Sequence, residues 1–243
     1  MATMALSKLE IDVPRIEHLK EAADLAKKHS CYALIVAPDL VTAANMTRAV
    51  KQAKFKILTT VDQPRGDLYG KEKFRGLPTE AMNAEGYEIL LTPKQTAHEV
   101  LAEVRYLSEF CQQYFGIVSE IRFVLDVNQP GRGPEFVANV LNACKLIPLP
   151  ALIRTTHHTK IAPGQSSIES LTKLLATCRG IRPVTMKISG NIDYNIYSKV
   201  PADRFGVSLI QAQAISKEVA SIGKPKPAVI APTAVIPAAA DQV

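Results

Sequence analysis

Two basic side chains stand in short apolar runs whose composition otherwise favours burial. Arg154 lies in ALIRTTHH (residues 151–158), and Lys187 lies in VTMKISGN (residues 184–191). A cation surrounded by apolar groups is costly unless a carboxylate or an anionic ligand compensates its charge. The two residues therefore indicate either a structural ion-pair network, with carboxylates such as Glu88 or Asp126, or a pocket for an anion.

The elements that carry these residues alternate regularly along the chain. Apolar or β-branched runs predict eight strands, at residues 8–13, 32–37, 55–61, 87–92, 121–127, 151–156, 184–189 and 203–208. Stretches with helical periodicity lie between them, at residues 16–29, 42–53, 96–115, 134–145 and 167–178. Strands that alternate with helices favour a parallel sheet covered by helices.

The number of units predicts the architecture. Eight βα units in about 220 residues fit an α/β fold of the (β/α)8 TIM-barrel type, which typically takes about 250 residues. A doubly wound open sheet is the alternative, but no glycine-rich turn follows the first predicted strand. We expect a single barrel domain over residues 1–222. Residues 223–243 are rich in Pro and Ala and predict an extended tail, either without function or docking on a partner.

Composition limits the class of protein. The 243 residues are 47% apolar, which supplies a core and excludes an intrinsically disordered chain. No apolar run approaches the roughly 20 residues of a membrane span, and the N-terminus lacks the pattern of a secretory signal. These features predict a cytoplasmic protein.

Four cysteines are scattered singly and predict reduced, buried side chains: Cys31, Cys111, Cys144 and Cys178.

Other ligands and partners find little support in the sequence. Lys and Arg exceed Asp and Glu by 29 to 23, a net charge of +6. The basic stretches at residues 51–56 and 69–76 are short and favour solvated helix ends over nucleic-acid binding. His157 and His158 end the sixth predicted strand without a clear third metal ligand, so we predict no metal and no cofactor.

Three segments resemble a known family. They are DRFGVSLIQA (residues 203–212), MKISGNI (residues 186–192) and TTVDQPRG (residues 59–66). Their order and spacing resemble the class I aldolases typified by deoxyribose-phosphate aldolase, over about residues 6–215. The resemblance implies a (β/α)8 barrel and a lyase that acts on a small phosphorylated sugar.

The catalytic positions implied by the resemblance have changed. The family's strand-six K-T-S-T pattern, whose lysine forms a Schiff base, reads Arg154, Thr155, Thr156, His157 here. A guanidinium stays protonated and cannot serve as that nucleophile. Lys187 matches the family's second lysine. Leu90 stands where the family has a strand-four aspartate, although Glu88 lies two residues away on the same strand face.

The positions that would hold a phosphate group are better retained. In this family backbone N–H groups at the ends of strands seven and eight grip the phosphate. The matching residues are Ser189, Gly190, Asn191, Gly206 and Ser208. Asn191 replaces one glycine of the family's pair, and asparagine tolerates the unusual backbone angles of such a turn.

Three functions remain open, and nucleic-acid binding is the weakest of them. The first is a barrel without Schiff-base catalysis, a pseudoenzyme that binds a sugar phosphate or another anion, or serves as a structural subunit. It would form a homo-oligomer or join a larger assembly through its tail. The alternative is an active lyase with Lys187 as a relocated nucleophile, its pKa lowered by Arg154. Glu88 or Asp12 would then take part in proton transfer through water.

Overall fold

A computed structural model describes residues 6–61, 70–91, 96–115, 120–126, 134–143, 151–157, 168–181 and 185–222. Its strands are β1 (Leu9–Val13), β2 (Ala33–Val36), β3 (Lys56–Val61), β4 (Gly86–Leu90), β5 (Glu120–Asp126), β6 (Ala151–His157), β7 (Thr185–Gly190) and β8 (Arg204–Ser208). Both ends of every predicted run lie within two residues of an observed strand. For β6 the description covers the backbone.

All strand pairs are parallel. Each strand pairs with the next in sequence order, and β8 pairs with β1, so the sheet closes on itself. The pairing joins Glu10 to Gly206 and Arg154 to Lys187. This confirms the parallel sheet predicted from the alternating pattern. It also places the carboxyl ends of all these strands at one end of the closed sheet.

The α-helices follow the strands in the chain. They are α1 (Leu19–His29), α2 (Val41–Val50), α3 (Ala97–Phe115), α4 (Pro134–Ala143), α5 (Ile168–Ile181), α6 (Tyr194–Lys199) and α7 (Leu209–Ile222). Between β3 and β4 the described residues form two short 3-10 segments instead, Gly70–Phe74 and Thr79–Asn83. In its described part the chain therefore departs from a full eightfold repeat of strand and α-helix.

The main core lies between the sheet and the helices. It contains outward-facing strand residues such as Ile11, Ile89 and Phe205, and helix residues such as Ala23 and Ile215. The interior of the sheet holds only two small apolar clusters among the described residues, Ala33 with Ile35 and Leu58, and Leu90 with Val124. Several of the other interior positions carry the charged residues described below.

A buried ion pair fastens the connection between β3 and β4 to α3. Lys73 Nζ lies 3.4 Å from Glu103 Oε1, and neither side chain is exposed. The Gly70 N–H donates to the same carboxylate over 3.3 Å, and the rings of Phe74 and Phe110 lie 4.8 Å apart.

Among the described helices, none combines the length and hydropathy that crossing a bilayer requires.

Candidate functional site

The two basic residues singled out from the sequence are direct neighbours. Arg154 on β6 pairs with Lys187 on β7, and on its other side Arg154 pairs with Asp126 on β5. The strand register therefore brings them together at the same level of the sheet. Because alternate residues of a strand share a face, Ser189 lies on the same face as Lys187, toward the carboxyl end.

Lys187 is held between two carboxylates from distant strands. Its Nζ lies 2.9 Å from Glu10 Oε2 on β1, and 3.0 and 3.1 Å from the two oxygens of Glu88 on β4. All three side chains are at least 96% buried. Gly206 on β8 faces the lysine chain and leaves the room that its methylene groups occupy.

Arg122 on β5 contacts the same two carboxylates. One of its terminal nitrogens lies 2.7 Å from Glu10 Oε1 and 3.0 Å from Glu88 Oε1. Two cations and two carboxylates thus alternate inside the closed sheet. We call Glu10, Glu88, Arg122 and Lys187 the interior quartet.

The electrostatics of the interior quartet fix the lysine in its charged form. Burial alone lowers the pKa of Lys187, but the attraction of Glu10 and Glu88 outweighs it, and the pKa is raised. Burial likewise raises the pKa of Glu10, but Lys187 and Arg122 reverse this effect and lower it. The expectation that a neighbouring arginine lowers the pKa of Lys187 is therefore wrong, because its nearest described partners are anions.

A second charged group lies at the amino ends of the strands. The Tyr32 hydroxyl donates to Glu120 Oε2 over 2.8 Å, and Lys56 Nζ lies 2.6 Å from the same oxygen. Arg204 stacks on Tyr32, with Cζ 3.6 Å from the ring centroid. Glu120 Oε1 also lies 2.6 Å from a terminal nitrogen of Arg122, so this group is continuous with the interior quartet.

The interior opens into a cavity of about 450 Å³ at the carboxyl ends of the strands. Its apolar lining includes Ile35, Val36 and Pro38 from β2 and the turn that follows it. Its polar lining residues are Asp12, Thr60, Glu88, Lys187 and Ser189. The location agrees with the end of a parallel barrel at which functional groups are found.

The side chain of Gln211 forms hydrogen bonds to predicted phosphate-binding residues at the ends of both β7 and β8. Gln211 Nε2 donates to the Gly190 carbonyl over 2.6 Å, and the Ser208 N–H donates to Gln211 Oε1 over 2.9 Å. Gly190 has a φ of 95°, a backbone conformation that favours glycine. Asn191 follows it as an exposed residue.

The structure thus brings most of the predicted site residues together. Lys187, Glu88 and Ser189 share the cavity, while Gly206 packs against Lys187. Leu90, at the position of the family's strand-four aspartate, is buried beside Val124. Some predicted features lie outside the described residues, among them Cys144, His158, residues 62–66 of the TTVDQPRG segment and the tail.

Sequence reasoning missed three residues, namely Glu10, Arg122 and Gln211. For the first two a signal was available, because both stand within predicted strands where an unpaired charge is unfavourable. Gln211 carries no such signal, since it stands in a helical run. Within the described residues no three His, Cys, Asp or Glu side chains are grouped so that they could bind a metal ion.

Solved structures with the same fold include aldolases. A tetrameric deoxyribose phosphate aldolase from Aeropyrum pernix is 11% identical, with a TM-score of 0.68 over 89% of this chain and 91% of its own. The aldolase QR15 is 18% identical, with a TM-score of 0.66 over 91% and 97%. Triosephosphate isomerase from Bartonella henselae is 11% identical, with a TM-score of 0.54 over 88% and 99%.

This chain therefore has the fold of the aldolase-like TIM barrels. No protein-family model and no curated protein sequence matches it. At this level of identity the likeness establishes the fold, and the chemistry of the site has to be argued from its own residues.

Proposed function

We propose that the chain is an aldolase-like barrel without Schiff-base chemistry, which holds a small ligand in its cavity or serves as a structural subunit. The observation that carries this proposal is the position of the Lys187 amine between Glu10 and Glu88. An amine attacks a carbonyl carbon through its lone pair, so it must first lose a proton. Two buried carboxylates at about 3 Å stabilise the protonated form instead.

The two other positions at which the family performs chemistry support the same proposal. Arg154 stands at the strand-six position, and a guanidinium does not form an imine. Leu90 stands at the strand-four position and cannot move protons. Glu88 is close to Lys187, but as its ion-pair partner it stabilises the charge that the reaction has to remove.

The remaining parts of the proposal concern the protein around the site. They are a complete (β/α)8 barrel over residues 1–222, self-association or entry into a larger assembly through residues 223–243, and a cytoplasmic location. Phosphate binding at Ser189, Gly190, Asn191, Gly206 and Ser208 stays a prediction. Gln211 already occupies the Ser208 N–H and the Gly190 carbonyl in this structure.

The test is imine trapping with borohydride. The protein is incubated with deoxyribose 5-phosphate or with acetaldehyde, reduced, and mapped by peptide mass spectrometry. We expect no adduct on Lys187 above the level found on the exposed Lys71, which reports nonspecific reductive alkylation. An adduct enriched on Lys187 would overturn the proposal. The Arg154→Lys variant restores the strand-six amine, and we expect at most weak trapping there because Leu90 is unchanged.

An active lyase is the second candidate, since Lys187 reaches the wall of a cavity that also contains Asp12 and Ser189. This function predicts cleavage of deoxyribose 5-phosphate above background, and its loss in Lys187→Met. Coupled detection of the released aldehyde distinguishes the two functions directly. Absence of cleavage together with absence of trapping leaves the non-catalytic barrel.

A further inference from the structure

The exposed face of α2 is apolar. Its three exposed residues are Met46, Ala49 and Val50, of which Met46 is 65% and Val50 86% exposed. Spacings of three and four residues place them on one side of the helix. A surface helix normally carries charged or polar residues on the side away from the core. The neighbouring α1 follows that rule, because all its exposed residues are charged: Lys20, Glu21, Asp24, Lys27 and Lys28.

The connection from β3 to β4 leaves this side of α2 partly uncovered. Its described residues form two 3-10 segments and no α-helix. The second segment, Thr79–Asn83, packs on α2, and the Asn45 side chain donates to the Asn83 carbonyl over 3.0 Å. Met82 in this segment is 40% exposed and adds to the apolar surface. We call Met46, Ala49, Val50 and Met82 the α2 patch.

The tail contains an apolar segment of matching chemistry. Residues 223–243 lie outside the described residues, and their sequence repeats Ala-Val-Ile at 228–230 and 234–236. The many prolines of the tail predict a polyproline II helix, in which residues six apart lie on the same side. Ile230 and Ile236 are six apart, so the sequence predicts one apolar edge along the tail.

The tail begins close enough to α2 to reach it within one chain. Both α7 and α2 end at the amino ends of the strands, and α1 lies between them. A hydrogen bond from Gln213 joins α7 to α1, and one from Lys27 joins α1 to the residue after α2. Packed helices are about 8–10 Å apart, so α7 and α2 are about 20 Å apart. Residues 223–228 span about 20 Å when extended, which brings the first Ala-Val-Ile copy to Val50.

We propose that the tail docks its Ala-Val-Ile repeats on the α2 patch of its own barrel. The driving force is the removal of apolar side chains of both partners from water. A tethered segment has an effective concentration of about millimolar for a site within its reach, so a weak contact suffices. The inference goes beyond the proposed function, because a tail held on α2 has to leave it before it can join another chain. The contact lies on the outer surface of α2, so the barrel does not need it to fold.

Methionine methyl groups report directly on this contact. The chain has five methionines, of which Met46 and Met82 belong to the α2 patch, whereas Met186 on β7 is fully buried. The methyl groups are labelled with carbon-13, and NMR spectra of the full chain are compared with those of a chain that ends at Ile222. We expect the signals of Met46 and Met82 to differ between the two chains and the signal of Met186 to coincide. Substitution of each methionine by leucine assigns the signals.

Changes in the tail test the first partner of the contact. Ile230→Asp combined with Ile236→Asp should reproduce the spectrum of the shortened chain, because a charge replaces each apolar anchor. Ala239→Asp is the matched control, since it adds the same charge outside the repeats. It should retain the spectrum of the full chain.

A change in the α2 patch tests the second partner. With Val50→Lys, shortening the chain should no longer move the signals of Met46 and Met82. Ile210→Lys is the matched control, because Ile210 is also an exposed apolar residue, 76% exposed on α7. It should leave the effect of shortening intact. An unchanged Met186 signal verifies that each variant is folded.

The inference is overturned if Met46 and Met82 have the same signals with and without the tail. It is also overturned if the double tail variant keeps the spectrum of the full chain, or if shortening still moves the signals in Val50→Lys. Dilution of the full chain from about 500 to about 10 µM separates docking within one chain from docking on a second copy, because only the latter depends on concentration. A tail effect that disappears on dilution would place the tail on a second copy and overturn the inference.

Discussion

A β-carbon added at Gly206 would lie 2.7 Å from Cε of Lys187. Bonded neighbours aside, β-carbons essentially never approach a heavy atom this closely, so the two residues fit together only because β8 lacks a side chain at that position. Lys187 cannot move aside easily, since its amine is held by Glu10 and Glu88. The absence of a side chain on β8 is thus a condition for the buried lysine on β7.

We expect Gly206→Ala to lower the free energy of unfolding by about 1–3 kcal/mol, the usual cost of overpacking an interior. Urea denaturation measures this change. Gly180→Ala is the control, because an added β-carbon on α5 would have no heavy atom within 4 Å. That variant should be neutral or gain up to about 1 kcal/mol. Equal losses in both variants would contradict the packing argument.

Neutralising one carboxylate of the interior quartet should be strongly destabilising. Glu10→Gln leaves Lys187 and Arg122 with one fewer buried anion, and removing one partner from such a pair typically costs about 3–5 kcal/mol. Urea denaturation at neutral pH gives the value. The double variant Glu10→Gln with Lys187→Met should recover part of the loss, because it removes one charge of each sign.

The exposed pair of Arg75 and Glu72 provides the reference for that experiment. Glu72→Gln should change stability by less than about 1 kcal/mol. If the double variant is no more stable than the sum of its single changes predicts, the coupling that we infer inside the sheet is absent.

Acid should destabilise the fold through Glu120. Burial alone raises its pKa, but Arg122, Lys56 and Tyr32 outweigh this effect and lower the pKa to about 2. The carboxylate therefore contributes stability that is complete above pH 5 and is lost as the pH falls from about 4.5 toward 2. Because the side chain is 26% exposed, we expect a contribution of about 2 kcal/mol.

The check is the pH dependence of unfolding in Glu120→Gln. This variant should be less stable at pH 7, and its stability should fall less steeply between pH 5 and 3 than that of the unmodified protein. Glu72→Gln should retain the original slope. An unchanged slope in Glu120→Gln would show that other carboxylates account for the acid sensitivity.

We predict that deleting residues 223–243 leaves the barrel folded. Helix α7 ends at Ile222, and Ile215 and Val219 on this helix are buried in the core. Thermal unfolding of the truncated chain should occur within about 2 °C of the full-length value. A markedly lower temperature would mean that the Pro- and Ala-rich tail packs on the core.

The strands were predictable from sequence because they are covered by helices on their outer face. That burial produces runs such as YALIVA and FKILTTV, and both ends of each predicted run agree with an observed strand to within two residues. Helix ends were less accurate. The periodic stretch at 16–29 begins with a 3-10 turn, Ile16–His18, before α1 starts at Leu19.

The interior quartet could not be predicted in the same way. Glu10 and Arg122 are 112 positions apart in the chain, and only the register of the closed sheet brings them to 2.7 Å. Alternating charged residues in a strand are also the pattern of a solvent-facing edge. Arg154 and Lys187 were recognised because each interrupts a strongly apolar run, which is a local signal. Gln211 was missed because its role depends on a carbonyl 21 residues away.

The balance of charge inside the barrel also constrains how the sequence can diverge. Two acids and two bases are buried together, so replacing one of them with a neutral residue removes a charge that stabilises its partners. A descendant that freed the amine of Lys187 would have to lose Glu10 and Glu88, and then also compensate Arg122. Each single substitution on that route would produce a destabilised intermediate. In an alignment of close relatives, these four positions should therefore vary as a set, and the gain of a reactive amine at position 187 should be a rare evolutionary event.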